Sequence, residues 1–117
     1  MATIKIHDLA LRTIIGIEAW EREKPQDIVI NLSCDYDAAL AAASDDIKDA
    51  VNYKKIKQDI IHLVETTRFN LVEKLAAEIL KVAMRDPRVR EATVTVDKPH
   101  ALRYARSVSL TCSAQRA

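Results

Sequence analysis

Lys98 ends an alternating apolar run just before Pro99, so its stem can be held by packing while its amine enters a pocket. Three other polar residues stand out from the periodicity around them. Glu21 lies in a polar excursion after Gly16, the only glycine in the chain. Tyr53 opens a helical pattern after Val51-Asn52, and Glu73 falls in the first turn of a second helix, where the helix dipole favours a carboxylate. His100, Arg103 and Arg106 follow Lys98 and add positive charge that suits an anion. Each residue also has a plain structural reading. Glu21 can be a solvated loop carboxylate, Tyr53 a packing aromatic with a wet hydroxyl, Glu73 a dipole partner, Lys98 a surface lysine and the basic trio a charged turn.

Other chemistries are excluded or disfavoured. One glycine cannot build a phosphate-cradling loop or a dinucleotide fingerprint. His7, His62 and His100 are far apart, and no HxH, HExxH or CxxC spacing occurs, so no metal site and no cofactor is expected. A formal net charge of +1 gives no bulk attraction to nucleic acid or membrane, and no apolar run is long enough to span a bilayer. Met1 to Lys5 passes directly into a strand-like pattern without a signal-peptide core, and Cys34 and Cys112 sit in strand alternation as reduced thiols. A cytoplasmic location is the expectation.

The elements that must position these residues are readable from periodicity. With 117 residues, 49% hydrophobic and 30% charged, the chain fits one domain spanning 1–117. Thr3 to Ile15 predicts a strand with a slip in phase. Gln26 to Asp37 predicts a clear strand, with Ile28, Ile30, Leu32, Cys34 and Tyr36 on one face and Val29, Asn31, Ser33 and Asp35 on the other. Ala38 to Asp49 is an alanine-rich connection in which Ser44-Asp45-Asp46 predicts a helix start. Asn52 to Arg68 and Leu71 to Arg85 predict amphipathic helices through Ile56, Ile60, Leu63 and Val64, then Val72, Leu75, Ala76, Ile79 and Val82. Val89 to Asp97 alternates, Pro99 interrupts, and Tyr104 to Ala114 alternates again. The expected class is α+β: a four-stranded antiparallel sheet in ββααββ order with both helices on one face. Its other face must meet water or another subunit.

The stretches Gly16-Ile17-Glu18-Ala19-Trp20-Glu21, Val51-Asn52-Tyr53, Phe69-Asn70-Leu71-Val72-Glu73-Lys74-Leu75-Ala76 and Asp97-Lys98-Pro99 stand in the order of the dihydroneopterin aldolase/epimerase pattern, and the chain resembles that family over nearly its whole length. The resemblance implies a tunnelling fold whose subunits join their sheets into rings, two rings stacking as a homo-octamer with a reduced pterin bound between subunits. It implies that Glu73 holds the pterin edge through paired hydrogen bonds, because a carboxylate complements two adjacent N–H donors. Leu71, Val72 and Asn52 would flank the ring. Lys98 would be the acid/base group, helped by Glu21 and by Tyr53 of a neighbouring subunit. The chemistry is cleavage of the C1′–C2′ bond after the 2′-hydroxyl loses its proton, with N5=C6 of the ring as electron sink, so no metal or organic cofactor is required.

Release of glycolaldehyde would make the reaction an aldolase, and re-addition of the retained aldehyde an epimerase. The run His100-Ala101-Leu102-Arg103-Tyr104-Ala105-Arg106 is similar to the branch that epimerises dihydroneopterin triphosphate to dihydromonapterin triphosphate, and His100, Arg103 and Arg106 would suit the triphosphate tail. Aldolase activity is the alternative, and a non-catalytic pterin-binding ring protein the third reading.

Overall fold

Alternation in the second strand run sets the architecture. In the computed structural model, which describes residues 1–117, strand β2 (Gln26–Tyr36) buries Ile28, Ile30, Leu32, Cys34 and Tyr36 on one face. Strand β3 (Val89–Pro99) adds Val89, Ala92, Val94 and Val96 to the same layer. Strands β1 (Ala2–Thr13) and β4 (Ser107–Gln115) flank this pair in an antiparallel sheet of order β1-β2-β3-β4. The short helix α1 (Ala19–Glu23) lies in the β1–β2 connection, and α2 (Ala39–Ser44) follows β2. Helices α3 (Tyr53–Thr66) and α4 (Val72–Met84) cover the apolar face with Ile56, Ile60 and Val64, and with Leu75, Ala76, Ile79, Leu80, Val82 and Ala83. Helix α3 packs over β1 and α4 over β3 and β4. This is the predicted strand–strand–helix–helix–strand–strand order.

The phase slip in β1 is a bulge. The register shifts between Ile6 and Leu9, Asp8 takes φ 52°, and Asn31 locks the bulge by accepting from the Asp8 N–H (2.9 Å). Three local expectations differ from the structure. Ser44-Asp45-Asp46 ends a helix rather than starting one: the alanine run supplies the helix, Asp45 caps it in the left-handed region (φ 55°), and Asp46 caps only a 3-10 turn at Ile47–Asp49. Pro99 does not interrupt β3. The β2–β3 ladder ends at Asp97, so Pro99 pairs only with Ser107 of β4, at an edge where its missing N–H is tolerated. The last strand starts at Ser107 rather than Tyr104, because His100 and Tyr104 take positive φ in the connecting turn.

The sheet is open. Its outer strands β1 and β4 each leave one edge unpaired, and the face carrying Asn31, Ser33, Thr93 and Thr95 has no helix over it. The radius of gyration, 15.5 Å, exceeds the roughly 13 Å of a closed chain this size. No helix is long and apolar enough to cross a membrane. Cys34 and Cys112 are both free thiols, and burial pushes the Cys34 thiol up to about 11.

Candidate functional site

Beyond Thr13 the chain leaves the sheet and runs beside the segment that precedes α4. Ile15 bridges to Phe69 in parallel, the Gly16 N–H donates to the Phe69 carbonyl (3.1 Å), and the Phe69 N–H donates to the Ile14 carbonyl (3.0 Å). Arg22 reinforces this seam from α1, donating to the carbonyls of Phe69 (3.0 Å) and Gly16 (3.4 Å). The seam therefore fixes α1 against the start of α4, and brings the Glu21 loop to the same end of the molecule as Leu71, Val72 and Glu73.

Lys98 reaches this end from the sheet. It continues the Val94–Val96 face of β3 past the last core residue, so its side chain lies on the helix side, 13% exposed. There its Nζ meets Glu21 Oε2 at 3.3 Å, and the Glu21 side chain is 12% exposed. Two further donors hold the same carboxylate: the Glu18 N–H to Oε1 (3.2 Å), which caps α1, and the Gln26 amide to Oε2 (3.4 Å). Gln26 is itself fixed by donating to the Ile15 carbonyl (2.7 Å). Burial pushes the Glu21 carboxyl upward, but the Glu18 N–H, Lys98 and Gln26 outweigh it, so it titrates below its ordinary value of 4.5. An ionised carboxylate beside a sheltered amine can pass protons to a bound molecule and steady the charge that transfer leaves.

The remaining sequence-predicted residues divide by position. Glu73 is exposed in the first turn of α4 with no side-chain partner in this chain; Leu71 before it is exposed and Val72 half-buried. Their backbone follows the Phe69 seam, which sets this trio at the same end of the fold as the Glu21–Lys98 pair. His100, Arg103 and Arg106 occupy the exposed turn after Lys98, closed by the His100 N–H donating to the Arg106 carbonyl (3.1 Å). Arg103 lies over the Tyr104 ring, 5.9 Å from its centroid. Arg106 leans toward Asp97 (3.9 Å), whose side chain is on the sheet face opposite Lys98.

Asn52 and Tyr53 are not in this cluster. Asn52 caps α3 by accepting from the Lys55 N–H (3.2 Å), and Tyr53 is exposed beside it. The other end of α3 is the one tied to the loop side, through the Thr13 hydroxyl donating to the Val64 carbonyl (3.1 Å). A helix of this length puts Tyr53 about 20 Å from the Glu21 end within one chain. Sequence reasoning passed over Gln26 and Arg22. Both are polar residues whose value lies in backbone carbonyls that only the folded chain brings to them. No group of three or more His, Cys, Asp or Glu gathers in a way that could hold a metal ion.

Comparison with known proteins identifies the family and the fold. The family model described as dihydroneopterin aldolase (FolB) matches residues 4–113. The chain is 50% identical over 116 residues to dihydroneopterin triphosphate 2′-epimerase of Pseudomonas aeruginosa, covering 99% of this chain and 94% of that one. It is 34% identical to dihydroneopterin aldolase of Escherichia coli, covering 94% and 90%. The crystal structure of Escherichia coli dihydroneopterin aldolase in complex with neopterin superposes with a TM-score of 0.92 at 29% identity, over 97% of this chain and 99% of that one.

Proposed function

The chain belongs to the dihydroneopterin aldolase family, and from that premise we propose that it inverts C2′ of the 7,8-dihydroneopterin triphosphate side chain, forming dihydromonapterin triphosphate. The observation that carries the choice is the identity gap: 50% to the epimerase over nearly the whole chain, against 34% to the aldolase.

In this reading Glu73 accepts two N–H donors from the pterin edge, with Leu71 and Val72 of the same chain and Asn52 of a neighbouring copy around the ring. Lys98 handles the proton of the 2′-hydroxyl, with Glu21 beside it. As that proton leaves, the C1′–C2′ bond breaks, its electrons enter N5=C6, and N5 gains a proton. The retained aldehyde rotates and C1′ attacks its other face, which reverses each transfer and inverts C2′. Escape of the aldehyde before re-addition is the aldolase outcome of the same cleavage. The aldolase relative makes it the second reading. The basic turn after Lys98 takes the triphosphate, chiefly through His100 and Arg103, since Arg106 is drawn toward Asp97.

The same proposal makes the active assembly a homo-octamer of two stacked rings, with Tyr53 supplied by a neighbouring copy. The unpaired edges of β1 and β4 and the separation of Tyr53 from Lys98 support it. We also place the protein in the cytoplasm, where a reducing environment keeps Cys34 and Cys112 as thiols.

Product analysis with dihydroneopterin and its triphosphate side by side tests the function. Inverted triphosphate as the main product supports it. Hydroxymethyl-dihydropterin as the main product from both substrates establishes the aldolase instead, and binding without turnover leaves a pterin-binding ring protein.

A further inference from the structure

Gly16 is buried, takes φ +124°, and is pinned on both sides: its N–H donates to the Phe69 carbonyl and its own carbonyl accepts from Arg22. A β-carbon placed on it would overlap the Cδ and both carboxylate oxygens of Glu21. The two constraints are separate. Positive φ concerns the backbone alone, whereas the overlap concerns what lies against it.

We propose that Gly16 is a positioning residue for the reaction: the space left by its missing side chain is the seat in which the Glu21 carboxylate is held toward Lys98. The inference rests on the functional reading above for its kinetic consequences, though the seat itself does not depend on the substrate. Four contacts define it. Glu18, Gln26 and Lys98 hold the carboxylate from its oxygens, and the bare α-carbon of Gly16 supports it from behind. The seam to Phe69 prevents the Gly16 backbone from retreating, so a methyl group there must displace the carboxylate. Glu21 then leaves Lys98, and Lys98 loses the group that orients it.

A cycle of Gly16→Ala, Glu21→Ala and the double variant tests this. Gly16→Ala should lower kcat by the same factor as Glu21→Ala, on the order of 10²-fold for a proton-transfer partner, with a smaller change in KM. The double variant should be no slower than Glu21→Ala, because the carboxylate is already gone. Carboxyl-carbon NMR of Glu21 gives a readout independent of turnover: its titration midpoint should move up toward the ordinary 4.5 in Gly16→Ala. If Gly16→Ala is too strained at φ +124° to fold, Glu21→Asp takes its place: its shorter carboxylate cannot rest on Gly16 and meet Lys98 together, so kcat should fall nearly as far as in Glu21→Ala. The inference is overturned by a Gly16→Ala enzyme with wild-type kcat, by a double variant that loses a further factor as large as the first, by an unmoved Glu21 midpoint or, where Gly16→Ala does not fold, by a Glu21→Asp enzyme with wild-type kcat. A wild-type protein that turns over no reduced pterin refutes the functional reading instead, and the NMR titration alone then decides the seat.

Discussion

At one end of the sheet Glu21 and Lys98 meet across 77 residues of chain, with Gln26, Glu18 and Gly16 around the carboxylate. At the other end Tyr53 stands on the first turn of α3, half-exposed, its neighbour Asn52 already engaged as the helix cap. The first region is sheltered and partnered within one chain. The second presents a hydroxyl with nothing to serve. One fold thus carries two unlike parts about 20 Å apart, the length of α3. We read them as halves of a single site, so a second copy must bring the tyrosine to the lysine.

Variants at each end sharpen this contrast. Lys98→Ala should produce the largest change, a loss of roughly 10²- to 10⁴-fold in kcat for cleavage of both dihydroneopterin and its triphosphate, because both routes share the proton transfer. Steady-state assays of the two substrates check it, and near-normal turnover would remove Lys98 from the mechanism. Glu73→Gln exchanges one acceptor oxygen for a donor and should weaken pterin binding by about 2 kcal/mol, roughly 30-fold in Kd. Direct titration with a product pterin measures it; an unchanged Kd would take Glu73 out of the site.

Arg103→Ala should raise KM for the triphosphate by roughly 2- to 5-fold while sparing dihydroneopterin, the scale of one exposed charge pair. Arg106→Ala should do less, since that guanidinium leans toward Asp97 (3.9 Å) on the other face. Equal losses on both substrates would separate the basic turn from substrate choice.

The smallest effect is on stability. The Glu21 carboxyl titrates below 4.5 in the folded chain, so the unfolded chain binds more protons there. Its contacts therefore stabilise the fold above the ordinary carboxylate range and are lost as pH falls below it. The melting temperature of Glu21→Gln should accordingly drop less steeply between neutral pH and pH about 3 than that of the parent. Parallel acid limbs would mean that these contacts contribute nothing to stability.

How far the sequence disclosed this depended on whether the signal was local. Strand β2 and helices α3 and α4 were legible because their buried residues recur with the period of the element, from Ile28 to Tyr36 and from Ile56 to Val64. The bulge in β1 showed as a phase slip between Ile6 and Leu9. The turn after β2 misled because Ser44-Asp45-Asp46 looks like a cap, while the preceding alanines had already made the helix. In the site, Lys98 and Glu21 could be paired only through family resemblance, since no periodicity links positions in a loop and a distant strand. The reason for Gly16 was invisible in the sequence. A lone glycine announces a turn, and only the folded chain shows a carboxylate lying over it.

Mixing subunits tests the two-ended site most directly. Lys98→Ala and Tyr53→Ala should each be nearly inactive alone. Unfolded together and reassembled in equal amounts, they should regain about one quarter of wild-type turnover, because random assembly places an intact Lys98 half against an intact Tyr53 half at that frequency in a closed ring of identical subunits. A reassembled mixture no more active than its separate components would contradict a site built from two copies.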